Sequence, residues 1–295
     1  MYYITDRTLS SLDDFNHDVS VLTRFLKLLI QTEPDAIELS RKMYDLLSPL
    51  PDFPSYIIRG GDKEACEIIL ENIQDINTAT GFKDCENIRV QGLDCLLTGD
   101  YIEAFARLRD FFSGEIEFCP ANGCNFATAL AAEWLTNGGK KVVTSFGGIG
   151  GFAPTEEVII TLKLAGLRKK EKTYNFFPEM ASLLNKITGK PIRRTKPILG
   201  RRIFHVESGI HVDGILKNPE SYELFPPETV GLKRKIVIGR QSGTASIKNK
   251  LEELGVSCAD EKIAAVLESV RKKSEEKRGA LNDTEFAQIV KERAT

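Results

Sequence analysis

Histidine is almost missing from this chain. Only His17, His205 and His211 occur among 295 residues, and no two stand at HxH or HxxxH spacing. That argues against a self-contained histidine metal site. Charge of either sign is not in excess, since 40 Lys and Arg face 42 Asp and Glu. No global field would therefore draw the chain to nucleic acid or to an anionic membrane, and neither partner is expected. No apolar run approaches the roughly 18–20 residues of a membrane helix. The longest candidate, Phe126–Leu135, is interrupted by Thr128 and Glu133. The six cysteines form no CxxC pair, so no disulfide framework is implied and free thiols are expected. The opening MYYITDRTLS lacks a basic head followed by an apolar stretch and reads as the start of a fold in a cytoplasmic protein.

What is present is about two domains' worth of ordinary globular composition. Short β-like segments at Tyr2–Ile4, Asp35–Leu39, Ser55–Ile58, Ile88–Val90, Gly114–Phe118 and Val142–Phe146 alternate with helical stretches at Val19–Gln31, Lys63–Ile73, Tyr101–Phe112 and Phe126–Leu135. Strand and helix alternating this often predicts an α/β fold with a parallel sheet, doubly wound or closed into a barrel. Six strands are clear and a seventh is a candidate at Asp75–Thr78; eight are not reached. A further helix opens at Thr155-Glu156-Glu157, with Thr155 as its N-cap. Lys190–Arg202, rich in Pro, Lys and Arg, looks extended, and three amphipathic helices follow at Ser246–Leu254, Asp260–Lys277 and Asp283–Lys291. The expected division is a barrel-like domain at 1–166, a helix and linker at 167–203, and a small α-rich C-terminal module at 204–295.

Three segments carry chemistry. Gly147–Ala153 contains a formal GxGxxA after a strand and before a helix. A dinucleotide fingerprint belongs to the first strand of its domain, with an acid about twenty residues on; here the strand is the last and that stretch is Lys and Leu. A turn approaching an anionic ligand at a barrel mouth fits better. Cys119 and Cys124 follow a strand end, where a ligand can sit, although buried free thiols are the plainer reading. The third segment runs from Phe204 through HVESGIHVDGILKNPESY to Tyr222, then through Phe225-Pro226-Pro227-Glu228 and Val230-Gly231 to Val237-Ile238-Gly239-Arg240-Gln241-Ser242-Gly243. It places an imidazole, a phenol and carboxylates on a glycine-punctuated loop, material suited to acid–base chemistry.

That third segment closely resembles the region after the barrel in homocitrate synthases of the nitrogenase-cofactor type, within the wider family of isopropylmalate and homocitrate synthases. The family pattern reads approximately HESGIHVDGLLK, then a Tyr, FPPE, VG and VIGKHSG. The likeness is specific over about Lys196–Gly243 and looser to the C-terminus and back through Phe177–Gly189. The resemblance implies a TIM barrel followed by C-terminal subdomains exchanged across a dimer, and condensation of acetyl-CoA with a 2-oxo acid around a divalent metal. In that family a His and a Tyr of the C-terminal subdomain reach into the partner chain's barrel; the matching residues here are His211 and Tyr222.

Towards the N-terminus the likeness is eroded. Family barrels open with DTTLRDGEQ, whose Arg supports the reacting carbonyl and whose following acid binds the metal; here Asp6-Arg7-Thr8-Leu9 leads into Ser10-Ser11. The family's HxHND, whose histidines ligate the metal, is replaced by Glu117-Phe118-Cys119-Pro120-Ala121-Asn122-Gly123. The loop NGxGERAGN has become Gly147–Ala153, and about one strand–helix unit is missing around Thr80–Glu86. Ile37-Glu38 and Arg59 still resemble the second and third strand ends, Val206 stands where the segment's first His belongs, and Gln241 replaces the His of GKHSG. The resemblance thus implies a degenerate TIM barrel that binds no metal itself, in a hetero-oligomer whose barrel-intact partner holds Mg²⁺ or Mn²⁺. The expected reaction joins acetyl-CoA to 2-oxoglutarate. A regulatory or structural paralogue, and a subunit of isopropylmalate or citramalate synthesis, are the alternatives.

Overall fold

The computed structural model describes residues 2–15, 18–61, 65–169 and 171–294; His17 and the Lys63 start of one expected helix lie outside them. The chain divides into two compact units, Met1–Gly200 and Arg201–Thr295. Among the described residues no helix is long and apolar enough to cross a membrane.

Among the described residues the first unit holds seven strands: β1 (Tyr3–Asp6), β2 (Ala36–Leu39), β3 (Ser55–Ile58), β4 (Cys66–Leu70), β5 (Asn87–Gly92), β6 (Glu115–Pro120) and β7 (Lys141–Thr144). Every pairing is parallel, in the order β3-β2-β1-β7-β6-β5-β4. The first strand is hydrogen-bonded to the last as well as to the second. This is the cyclic order of a (β/α) barrel opened at one seam, between β3 and β4, and it corresponds to a TIM barrel lacking a strand. The open seam lies between β3 and β4, and among the described residues no α-helix stands between β4 and β5, the connection that contains Thr80–Glu86. That connection holds the 3₁₀ turns Ile73–Thr78 and Thr80–Phe82, so Asp75–Thr78 is not a strand. Helices α1 (Val19–Gln31), α2 (Arg41–Leu47), α3 (Tyr101–Phe111), α4 (Ala127–Thr136), α5 (Thr155–Leu164) and α6 (Phe177–Thr188) complete the unit. Helix α1 starts where the Asp18 carboxylate accepts from the amides of Ser20 and Val21, and it buries Leu22, Phe25, Leu26, Leu28 and Leu29 on one side. Helix α6 packs on α1, so the segment read as helix and linker belongs to this unit as far as Gly200.

One expected helix is a strand. Residues 66–70 pair with β5 in register from Cys66–Ile88 to Leu70–Gly92. The run Ile68-Ile69-Leu70 suits either state, and length alone could not separate them. Its place at the sheet edge leaves Ile69 68% exposed, so the alternation that marks a strand with one buried face is blurred.

The second unit begins with β8 (His205–Val206), parallel to β9 (Lys235–Ile236), with α7 (Gly209–Lys217) between them, followed by α8 (Thr244–Leu254), α9 (Ile263–Lys277) and α10 (Asp283–Ala294). Its core gathers Val212, Ile247, Leu251, Val266, Val270, Phe286 and Val290. The expected glycine-punctuated loop around His211 is thus a helix. Two glycines disfavour helix locally, by about 1 kcal/mol each, but Val212 and Ile215, three apart, are both buried and hold the segment.

Candidate functional site

The two motifs of the C-terminal unit interlock. Val237 donates its amide to the Val206 carbonyl (2.8 Å), Gly209 to the Gln241 carbonyl (3.1 Å), and Gln241 to the Glu207 carboxylate (2.9 Å). Gly209 and Gly243 face each other so closely that a Cβ on Gly209 would stand 2.6 Å from the Gly243 Cα. No side chain fits at that crossing. Arg271, on α9, donates from Nη2 to the Ser242 carbonyl at 2.8 Å and holds the turn from behind. Helix α7 is thereby fixed at its start, and with it His211 on its first turn.

Tyr222 follows a short turn, Pro219–Ser221, and returns beside α7. Its ring fills the space over Gly214, where a methyl group would overlap it. The His211 and Tyr222 rings end with centroids 5.7 Å apart, tilted by 57°. Both side chains are exposed, and so, nearby in the sequence, are Ile210 (79%), Leu216 (49%) and Leu224 (84%). Sequence reasoning named His211 and Tyr222, and the structure brings them together. It missed the exposed Ile210 and Leu216 of α7, whose exposure depends on how that helix is seated. His205, the other described histidine, is half-buried; burial first, then Lys235 and Arg202, depress its pKa and favour the neutral ring.

In the first unit the strands carry a different cluster. A position just after β1 and positions of β2, β4, β5 and β6 bring Arg7, Glu38, Glu67, Arg89 and Glu117 together. Arg89 donates to Glu117 from Nη2 (2.8 Å) and Nε (3.1 Å), and also pairs with Glu38 and, at 3.4 Å, with Glu67. Arg7 Nε lies 3.5 Å from Glu38, and its guanidinium stacks 4.2 Å from the centre of the Phe152 ring. Burial alone would raise the Glu38 pKa, but Arg89, Arg7 and the Ser10 hydroxyl (2.7 Å) together hold it below the usual carboxylate range.

Next to this cluster stand residues at positions where the family resemblance would place metal ligands and the Arg before one of them. Cys119 is fully buried, and burial pushes its thiol up to about 11 against the opposing pull of Arg7, 3.8 Å away. Ser10 bonds Glu38, and Ser11 donates to the Arg7 carbonyl at 3.0 Å. A protonated thiol, two hydroxyls and two fixed guanidinium charges do not fit a divalent cation.

The glycine loop after β7 also differs from expectation. The Gly147 amide donates to the Glu156 carboxylate at 2.8 Å and the Gly148 amide to the Ser145 carbonyl at 3.0 Å. Two of the loop's amides are thus already engaged, one by a carboxylate of the following helix and one by the preceding turn. Burial raises Glu156 to about 7, partly opposed by Lys196. Thr155 is the first residue of α5 and not its cap. Its hydroxyl turns inward to the Asp6 carboxylate and to Thr144 Oγ1 (2.8 Å), and burial raises Asp6 to about 6.

The cysteines depart from the reading of six free thiols. Cys95 and Cys124 are joined through their sulfurs, with Cα atoms 6.0 Å apart, while Cys66, Cys85, Cys119 and Cys258 are free.

Comparison with known proteins places these features. A family described as "Homocitrate synthase post-HMGL domain-like" matches residues 198–278. The omega subunit of homocitrate synthase from Clostridium pasteurianum is 31% identical over 338 aligned positions, covering 98% of this chain and 95% of that protein. 2-Isopropylmalate synthase 2 of Caldanaerobacter subterraneus is 37% identical over 66% of this chain and 50% of its own length. Homocitrate synthase AksA of Methanothermobacter thermautotrophicus is 35% identical over 69% and 51%. The chain thus spans nearly all of the first relative and about half the length of the other two.

Proposed function

The chain belongs to the homocitrate and isopropylmalate synthase family, and from that premise we propose that it is one subunit of a heteromeric homocitrate synthase condensing acetyl-CoA with 2-oxoglutarate. In this reading His211 and Tyr222 enter the pocket of a partner subunit whose barrel keeps its Mg²⁺ or Mn²⁺ ligands. The observation that carries the proposal is the exposed His211–Tyr222 pair, held together on helix α7 and the turn after it. An imidazole and a phenol held together and facing solvent suit insertion into another chain's site. The name of the omega-subunit relative, which denotes one part of a larger enzyme, supports the same division.

The chemistry assigns the roles. The acetyl methyl must lose a proton, and the ketone oxygen gathers negative charge as the new bond forms. A divalent ion in the partner supplies Lewis acidity at that oxygen. His211 transfers the proton or activates the acetyl group, and the Tyr222 hydroxyl orients by hydrogen bonding. The Arg7–Arg89–Glu cluster fills the corresponding interior of this chain and makes its own barrel a scaffold for assembly.

The test is CoA release from acetyl-CoA and 2-oxoglutarate by this chain alone, by a barrel-intact partner alone, and by the mixture. Turnover far above either component is expected only in the mixture. A partner fully active alone, and slowed or unaffected by this chain, would instead favour a regulatory paralogue, a reading to which the filled barrel interior lends support. The likeness to isopropylmalate synthase favours including 2-oxoisovalerate and pyruvate in the substrate panel.

A further inference from the structure

At the C-terminal ends of β5 and β6, on the sheet face where barrel proteins bind ligands, three side chains of unlike chemistry converge. Asp94 and Cys95 follow β5, Cys124 follows β6, and one ligand atom from each lies within 4.8 Å of the other two. The sulfurs are joined, but a disulfide gives the carboxylate no role. Gly123 makes the room for it, because a Cβ there would run into Asp94 Oδ2. We propose that Asp94, Cys95 and Cys124 form a thiol-gated site for a soft divalent cation such as Zn²⁺, closed as the disulfide and open as the dithiol.

The distances suit the ion. Two sulfurs at the usual Zn–S length of about 2.3 Å sit about 3.8 Å apart in a tetrahedral site, and a carboxylate oxygen at about 2.0–2.2 Å completes three corners. Joined as a disulfide the sulfurs are closer than this, so reduction must let them part, while the carboxylate oxygen already lies within 4.8 Å of both. Thiolates select zinc over magnesium or manganese, so this site is distinct in chemistry from the hard-cation centre proposed for the partner. Cys95 is exposed and Cys124 half-buried, which admits a reductant and leaves the fourth corner to water. Opening takes two electrons and two protons from a cellular dithiol, which becomes a disulfide as the Cys95–Cys124 bond breaks. Metal binding then releases both thiol protons, giving a dithiolate–carboxylate site of net charge −1 with the cation in place.

The test uses the full chain, reduced with a phosphine and titrated anaerobically with Co²⁺, then loaded with Zn²⁺ and assayed for bound metal. One ion per chain is expected, with thiolate-to-cobalt absorption in the near ultraviolet, and no uptake by the oxidised chain. Cys124→Ser should bind at least tenfold more weakly and Asp94→Asn more weakly than wild type, whereas Cys66→Ser should bind as wild type does. Circular dichroism of each variant shows whether it has folded; if Cys124→Ser does not, Asp94→Asn, which leaves both sulfurs in place, decides the matter. A reduced chain that takes up no ion, or uptake unchanged in the folded variants, overturns the proposal.

Discussion

Gly214 and Tyr222 are fitted to each other: the phenol ring lies where a side chain at 214 would be, and that seat brings it to within 5.7 Å of His211, centre to centre. Gly214→Ala must displace the ring or bend α7. Overpacking of this kind costs about 1–3 kcal/mol, measurable in urea unfolding. The His211–Tyr222 geometry should be lost with it, so the mixed enzyme should lose activity in step. Tyr222→Phe keeps the ring and its seat, and should lower kcat by roughly tenfold, the worth of one hydrogen bond of about 1.4 kcal/mol, with stability unchanged.

The Arg89 guanidinium is shared by Glu38, Glu67 and Glu117. Arg89→Met leaves Glu38 and Glu117 buried beside each other with only Arg7 to balance them, and should destabilise the first unit by about 3–5 kcal/mol near neutral pH. The native Glu38 pKa lies below its unfolded value, so its contribution is present above the unfolded value and is lost as pH falls through the native one. The deficit of Arg89→Met should therefore shrink in acid. Trp134, the single tryptophan of the chain, is buried in the first unit, so its fluorescence follows that unit.

Asp6 and Glu156 run the other way. Their native pKa values of about 6 and about 7 exceed the unfolded ones, so the folded unit holds more protons between about pH 4 and pH 7. The stability they confer is complete below the unfolded values and is lost as pH rises through the native ones. Urea midpoints followed by Trp134 fluorescence should fall from pH 5 to pH 8, and Glu156→Gln should flatten the decline. An equally steep decline in that variant would remove Glu156 from the explanation.

Much of the fold was legible because local pattern and tertiary role agree. Val19–Gln31 reads as an amphipathic helix and is one, and six of the seven barrel strands follow short β-branched runs bounded by turns. Helix α7 was hidden because its evidence is tertiary: Val212 reaches a core supplied by residues tens of positions later, and Gly214 has a meaning only with Tyr222 in view. His211 and Tyr222 themselves were found through resemblance, not through spacing. The Arg7–Arg89–Glu cluster needs strand register to be seen at all, since Arg89 and Glu117 meet only because β5 and β6 pair at Arg89–Glu117. Cys95 and Cys124, 29 residues apart, carry no spacing signal for the same reason.

The most direct measurement compares wild-type chain and His211→Ala, each mixed with the barrel-intact partner at saturating acetyl-CoA and 2-oxoglutarate, with assembly checked by sizing. The division of labour proposed above predicts equal assembly and a fall in kcat of about 10²–10⁴-fold, the usual worth of a positioned acid–base group. Equal turnover by the two mixtures would contradict it.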